Sequence, residues 1–292
     1  MRRSGRFTWT DSGIYILLFL LALVTFIPIW HVVNVSISSS RSVLGARLMM
    51  WPQEVSLDSY RFIFRNDVLL RSFGITAFIT IVGTALNLLF TTSGAYVLSK
   101  RELPGASFFL LLIVITMLFS AGIIPGYMLI RSLGLLNSVW AMILPGLVSA
   151  FNLILMRNFF WSVPESLTES AKIDGAGELR ILLQVMIPLS VPAIATIGLF
   201  YAVGHWNEFF RGVFYINDSS KWPLQVLMRN IVSQADMSEL GVSNQQMYGG
   251  AKLNVLTIQS ATIVAATLPI VCAYPFLQKY FAKGIMLGAV KG

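Results

Sequence analysis

Residues 72–99 read "SFGITAFITIVGTALNLLFTTSGAYVLS", with no Asp, Glu, Lys or Arg among them. A helix rising 1.5 Å per residue needs only ~20 residues to cross the ~30 Å hydrocarbon core of a bilayer, so this stretch is long enough to span with residues to spare. Five further windows share the property: Ser12–Ser40, Leu103–Ile130, Ser132–Met156, Ile181–Asn207 and Leu253–Gln278. The chain as a whole is 56% hydrophobic and 12% charged, where an average soluble domain carries about 25% charged residues. A helix satisfies its own backbone hydrogen bonds in lipid, whereas a membrane barrel would show ~10-residue alternating segments. The windows therefore predict an all-α membrane protein. Its six transmembrane helices fall roughly at 13–37, 72–98, 106–130, 138–158, 184–206 and 257–280, within one membrane domain covering 1–292.

Charge sets orientation and excludes some functions. The net charge of +8 is scattered along the chain and forms no basic stripe, which argues for membrane-flanking cations and against nucleic-acid binding. Arg2, Arg3 and Arg6 precede the first window in the manner of a signal peptide. The apolar run Ile14–Val33 exceeds a ~7–15-residue signal core, and no A-x-A site follows, so it reads as a retained first span. The short flanks "MRRSGR" and "SKRELPG" favour both termini inside. That topology makes 38–71 and 207–256 long outer loops and 159–183 the one sizeable inner segment. The single cysteine, Cys272, excludes an internal disulfide and reads as packing. Prolines at 28, 125, 145, 188, 192, 269 and 275 lie in or near most spans, where each removes a helical hydrogen bond and favours a kink.

The inner segment continues into the fifth span as "ESLTESAKIDGAGELRILLQVMIPLSVPAIA", Glu165–Ala195. Pro164 suits a helix start, and Glu165 and Glu169 lie near its positive end. Glu169 and Lys172 form an i, i+3 pair, and Gly175 with Gly177 can supply a left-handed stop. This predicts a helix of about 164–176 outside the lipid. Its face is small and mixed, which suits a protein cleft better than a membrane surface, where Trp, Phe or Leu would oppose a basic face.

The same stretch resembles the EAA loop of the permease subunits of bacterial ABC importers, written E-A-A-x-x-x-G and followed by I-x-L-P. Here the motif is Glu169, Ser170, Ala171 and Gly175, then Val185, Ile187 and Pro188. Ser170, Val185 and Ile187 are mild departures. "IDGA", Pro192, "RELPG", "SLGLLNS", "HWNEFF" and the ending "QKYFAKGIMLGAVKG" extend the likeness over nearly the whole chain, toward the sugar-importer type. It is similar to the smaller maltose-importer permease and more closely to the branch for complex oligosaccharides such as those from alginate.

The resemblance implies the type I ABC importer fold in a bacterial inner membrane. It implies that the cytoplasmic helix is a coupling helix seated in a groove of a separate ATPase subunit. Glu169 would then make a polar contact to that subunit. Ala171 and Gly175 would pack closely in the groove, Asp174 would cap the helix or contact the subunit nearby, and Ser170 and Ala176 belong to the same ATPase-coupling segment. Lys283 and Gly284 in the tail would contact the ATPase dimer. Asn244, Gln245 and Gln246 in the second outer loop would meet an extracytoplasmic substrate-binding protein. The implied partners are a homologous second permease subunit, two ATPase subunits, the binding protein, an oligosaccharide and membrane lipid. No cofactor is expected on this chain, and ATP and Mg belong to the partner ATPase subunits. The residues agree with this, since no G-x-x-x-x-G-K-[ST] loop occurs and "GAGE" is too short and lacks the Lys.

Asn87, Tyr96, Asn152, Tyr201, Asn207 and Gln259 are polar residues within or beside the spans. Such residues either line a solute path or bond helices to one another, at ~0.6 kcal/mol on average. Two other classes fit less well. An ion-coupled secondary transporter of a polar solute would usually carry a carboxylate mid-span, and all six windows lack one. An intramembrane enzyme would have only His31 and His205 with which to build a histidine-based site.

Overall fold

The structure is a computed structural model and describes residues 9–43, 49–119, 121–239 and 254–289. Among these residues the order is helical, and the one β feature is an isolated bridge between Ser38 and Val55. Twelve helical elements carry the argument: α1 (Trp9–Ser36), α2 (Asp67–Ser99), α3 (Ala106–Leu118), α4 (Ile123–Ser132), α5 (Trp140–Gly146), α6 (Ala150–Ser162), α7 (Glu165–Ile173), α8 (Glu178–Leu189), α9 (Val191–Trp206), α10 (Phe210–Tyr215), α11 (Leu224–Glu239) and α12 (Val255–Ala289).

Stretches of α1, α2 and α12 are each long and apolar enough to cross a membrane unaided. The pairs α3–α4, α5–α6 and α8–α9 pass the same test only when each is taken together. The sequence placed single spans at 106–130, 138–158 and 184–206, with prolines that favour kinks, and in the structure each region is a pair of helices with a break between them. At α3–α4 the chain leaves helical geometry at Phe119 and passes through Gly122 at φ +83°. At α5–α6 the axes bend by 50°, after a final 3-10 turn that contains Pro145. At α8–α9 they bend by 86° at Ser190. There Pro192 cannot donate to the carbonyl of Pro188, and its ring would clash with it in a straight helix. A π-type turn at Leu182–Met186 precedes this bend.

The chain forms two compact units, with boundaries inside α2, α11 and α12. One comprises 1–70 and 228–268. In it α1 is exposed on every face over residues 13–26, with Phe19 and Val24 each 65% exposed, as expected of a helix surrounded by lipid or by another subunit. Its far end is tied to the following loop: Trp30 Nε1 donates to the Met50 carbonyl at 2.9 Å, and Ser36 Oγ lies 2.9 Å from Tyr60 Oη. Val35, Val43 and Met49 form a small core beneath that loop.

The other unit comprises 71–227 and 269–292. Its larger core gathers Ala95 and Tyr96 of α2, Met156 and Phe160 of α6, Ile181, Leu182 and Met186 of α8, and Ala193, Ile197 and Tyr201 of α9. A second cluster joins Ile79, Met142, Ile143 and Ile216. Beside it Asn137 adopts φ 58°, a left-handed conformation disfavoured for any residue with a Cβ. Its Oδ1 accepts from the N–H groups of Asn217 at 2.7 Å and Asp218 at 3.1 Å, while its own N–H donates to the Tyr215 carbonyl at 2.8 Å. Asn137→Ala should therefore destabilise the protein in detergent by about 2–3 kcal/mol, combining left-handed strain with lost hydrogen bonds. Asn137→Gly relieves the strain and should recover roughly half of that in thermal unfolding.

Candidate functional site

The segment singled out by sequence folds as α7, shorter at both ends than the predicted 164–176. Pro164 stands just before it in extended geometry, and Asp174 just after it. The stop is a Schellman motif. Gly175 sits at φ +79°, its N–H donates to the Lys172 carbonyl at 3.0 Å, and the Ala176 N–H reaches the Ala171 carbonyl at 2.9 Å. Glycine is needed here for its backbone, since nothing lies within 4 Å of where its Cβ would be.

The face α7 presents differs from the one expected. Ala171 and Ala176 are partly buried and pack against the unit's own core, folded back together by the Schellman turn. Glu169, Ser170 and Asp174 are exposed. Ile173 is 86% exposed, and Leu179 just beyond the turn is 70% exposed. Sequence reading passed over both. The signal was present, because two large aliphatic side chains flank "DGAG" where a solvated turn would carry polar ones.

A polar clamp holds α7 and α8 to the Ser99 end of α2. Tyr96 Oη donates to Glu178 Oε2 at 2.5 Å, and Lys100 pairs with the same carboxylate. The hydrogen bond from Lys100, aided by that from Tyr96, holds the Glu178 carboxyl below its ordinary value, so it stays ionised. Arg101 pairs with Glu165 of α7 at 3.5 Å and lies over the Trp161 ring, which Arg157 also covers at 4.0 Å. A small cavity of about 110 Å³ lies among these groups, lined by Lys100, Arg101, Glu165, Glu169 and Lys172 among others. Tyr96, a candidate for a solute path or for a bond between helices, takes part in this clamp.

The remaining polar candidates separate into two sets. Asn87 is fully buried, and all of its carboxamide is used. Its Nδ2 donates to the carbonyls of Gly146 and Leu147, each at 2.7 Å, and its Oδ1 lies 2.6 Å from His205 Nε2. These are carbonyls at the α5–α6 break. Tyr201 Oη accepts the Ser149 N–H from the same break at 3.0 Å and lies 2.7 Å from Thr91 Oγ1. His205 packs directly on Gly83, where any Cβ would stand 2.5 Å from its ring nitrogen. Asn87 and Tyr201 therefore serve the helix break.

Asn152 faces a cavity of about 420 Å³ bounded by α5, α6, α9 and α10, together with Glu208 and Arg211. Asn207 is exposed and donates to the Val203 carbonyl at 2.9 Å. Gln259 lies half-buried on α12, in the other unit. Lys283 and Gly284 fall within the span of α12. Asn244, Gln245 and Gln246 lie outside the described residues. Among the described residues no three His, Cys, Asp or Glu side chains gather where a metal ion could be held.

Residues 103–287 match the family described as the binding-protein-dependent transport system inner membrane component. The polygalacturonan/rhamnogalacturonan transport system permease protein YtcP of Bacillus subtilis is 46% identical over 97% of this chain and 98% of its own. The protein LplC of Bacillus subtilis is 45% identical over 92% of this chain and 90% of its own. Among solved structures, a chain from a bacterial ABC transporter involved in the import of the acidic polysaccharide alginate superposes with a TM-score of 0.87. It is 33% identical and covers 95% of this chain and 100% of its own. With its broken apolar helices and its exposed, glycine-closed α7, this chain belongs to the family of inner membrane components of binding-protein-dependent transport systems, as an ABC transporter permease subunit.

Proposed function

We infer that the chain is one of two membrane subunits of an ATP-driven importer. Its cargo is an oligosaccharide delivered by an extracytoplasmic binding protein, and it moves by alternating access. The observation that carries the coupling half of this reading is α7 itself: a short helix, closed by Gly175, that leaves Ile173 86% exposed. An aliphatic side chain that open is best accounted for by a protein groove that covers it, and burying it contributes about 1.5–3 kcal/mol. α7 is the coupling helix in this reading, and the groove belongs to an ATPase subunit that binds ATP and Mg. The chain itself hydrolyses nothing.

The cargo half follows the relatives, which are named for polygalacturonan and rhamnogalacturonan or for alginate import. All three are acidic polysaccharides, so acidic oligosaccharides are the first candidates. The permease partner is a homologous second subunit. The six spans comprise α1, α2, α12 and the three bent pairs, with both termini in the cytoplasm. The polar clamp then has a mechanical role: Glu178, Lys100, Arg101 and Glu165 make motion of α7 move α2 and α8 with it, as rigid-body alternation requires.

Purification of the tagged chain from a host expressing the neighbouring transport genes should bring down an ATPase subunit and a second permease. ATP hydrolysis in proteoliposomes should rise when the loaded binding protein is added. Ile173→Ser should weaken capture of the ATPase subunit by about ten- to thirtyfold, matching roughly 1.5–2 kcal/mol of lost burial. Gly175→Val forces a β-branched residue into the left-handed region at a cost of about 1–2 kcal/mol or more, and should abolish ATP-driven uptake while the chain still inserts. Normal uptake in a variant carrying both Glu169→Ala and Gly175→Val would remove the coupling-helix assignment.

A further inference from the structure

The cavity between α5, α6, α9 and α10 measures about 420 Å³, within the roughly 300–1,000 Å³ of small-molecule sites. Its walls differ from ordinary helix packing in what they leave unpaired. Asn152 is only 5% exposed, yet among the described residues its carboxamide has no hydrogen-bond partner. The capping bond from Ser149 goes to its backbone N–H. Its amide atoms are not sealed in the packing but open into the cavity, where a bound hydroxyl can meet them.

Across the cavity Arg211 is anchored through one nitrogen. Its Nη1 donates to the Met142 carbonyl at 3.1 Å and to Glu208 Oε2 at 2.9 Å, while Nε and Nη2 have no partner among the described residues. The guanidinium lies on Gly146, where any Cβ would stand 2.6 Å from Nη2, so the bare glycine keeps room for it. Glu208 is held in place by the Arg211 N–H on its Oε1 at 3.1 Å. His205 lines the same cavity, and its Nδ1 has no partner either.

The open groups are thus a carboxamide able to donate and accept, two guanidinium nitrogens with three N–H donors between them, and a carboxylate that is already charge-compensated. Vicinal hydroxyls need this combination, because each must accept one hydrogen bond and donate another. We propose that this cavity is a subsite for one glycosyl unit of the cargo during its passage, read through its hydroxyls by Asn152 and the Glu208–Arg211 pair. The subsite rests on the reading of the cargo as an oligosaccharide.

Asn152→Leu in the complete transporter tests it. The change removes only the amide, and since that amide has no protein partner, the complex should melt at the same temperature or higher. With trigalacturonate as the probe, and arabinotriose as its neutral counterpart, sugar moved per ATP hydrolysed should fall by about tenfold, the factor expected when a pair of hydrogen bonds is lost. Hydrolysis stimulated by the binding protein should be unchanged. Phe151→Leu, on the same helix but outside the cavity, should leave both readouts at wild-type values. An unchanged sugar-to-ATP ratio in Asn152→Leu overturns the subsite, and so does a parallel loss of uptake and hydrolysis, which marks a structural role. A wild-type complex that hydrolyses ATP yet moves neither probe removes the oligosaccharide reading, and the subsite with it.

Discussion

A backbone amide that loses its helical partner inside hydrocarbon has no water to turn to, so every break in a spanning helix must be closed by some other group. This constraint organises the larger unit. The α5–α6 break frees the carbonyls of Gly146 and Leu147 and the N–H of Ser149, and Asn87 and Tyr201 close all three. Asn87 is oriented by His205, and His205 fits because Gly83 carries no side chain. The bend opens the wall that Asn152 and Arg211 share. A straight α5–α6 would need neither Asn87 nor Tyr201 and would leave no such cavity.

In the same unit α7 is far more polar than the apolar helices it joins. α7 has too little apolar surface to hold its own place, so glycine geometry at one end and ion pairs along its side position it. Those pairs are partly exposed, with Glu178 at 54% and Glu165 at 47%, and exposed pairs of this kind contribute at most about 1 kcal/mol each. Their significance is geometric. Glu178 brings α8 to α2 through Lys100 and Tyr96, and Glu165 brings α7 to the same end of α2 through Arg101, so three helices meet at one set of charges.

Much of this was legible in the sequence. The absence of charge located the apolar segments, because water leaves its mark on a sequence as charged residues. Gly175 announced the end of α7, because left-handed geometry selects glycine. Pro145 and Pro192 announced that their spans could kink, but not which groups would satisfy the freed backbone. The partners that do so are remote: Asn87 lies about sixty positions from Gly146, and Tyr96 lies 82 positions from Glu178. The inward packing of Ala171 was not legible, because a small residue on a short helix suits an inner and an outer packing equally. Ile173 and Leu179 stand among small and polar residues, so no apolar periodicity marks them in the sequence.

The central claim is that the open face of α7 is covered by an ATPase subunit. A photo-reactive benzoylphenylalanine at position 173, illuminated in the complete transporter in its own membrane, tests it most directly. The account predicts a covalent adduct with the ATPase subunit, in good yield and lost when that subunit is stripped away. Adducts with lipid alone, or with no subunit of the complex, would contradict it.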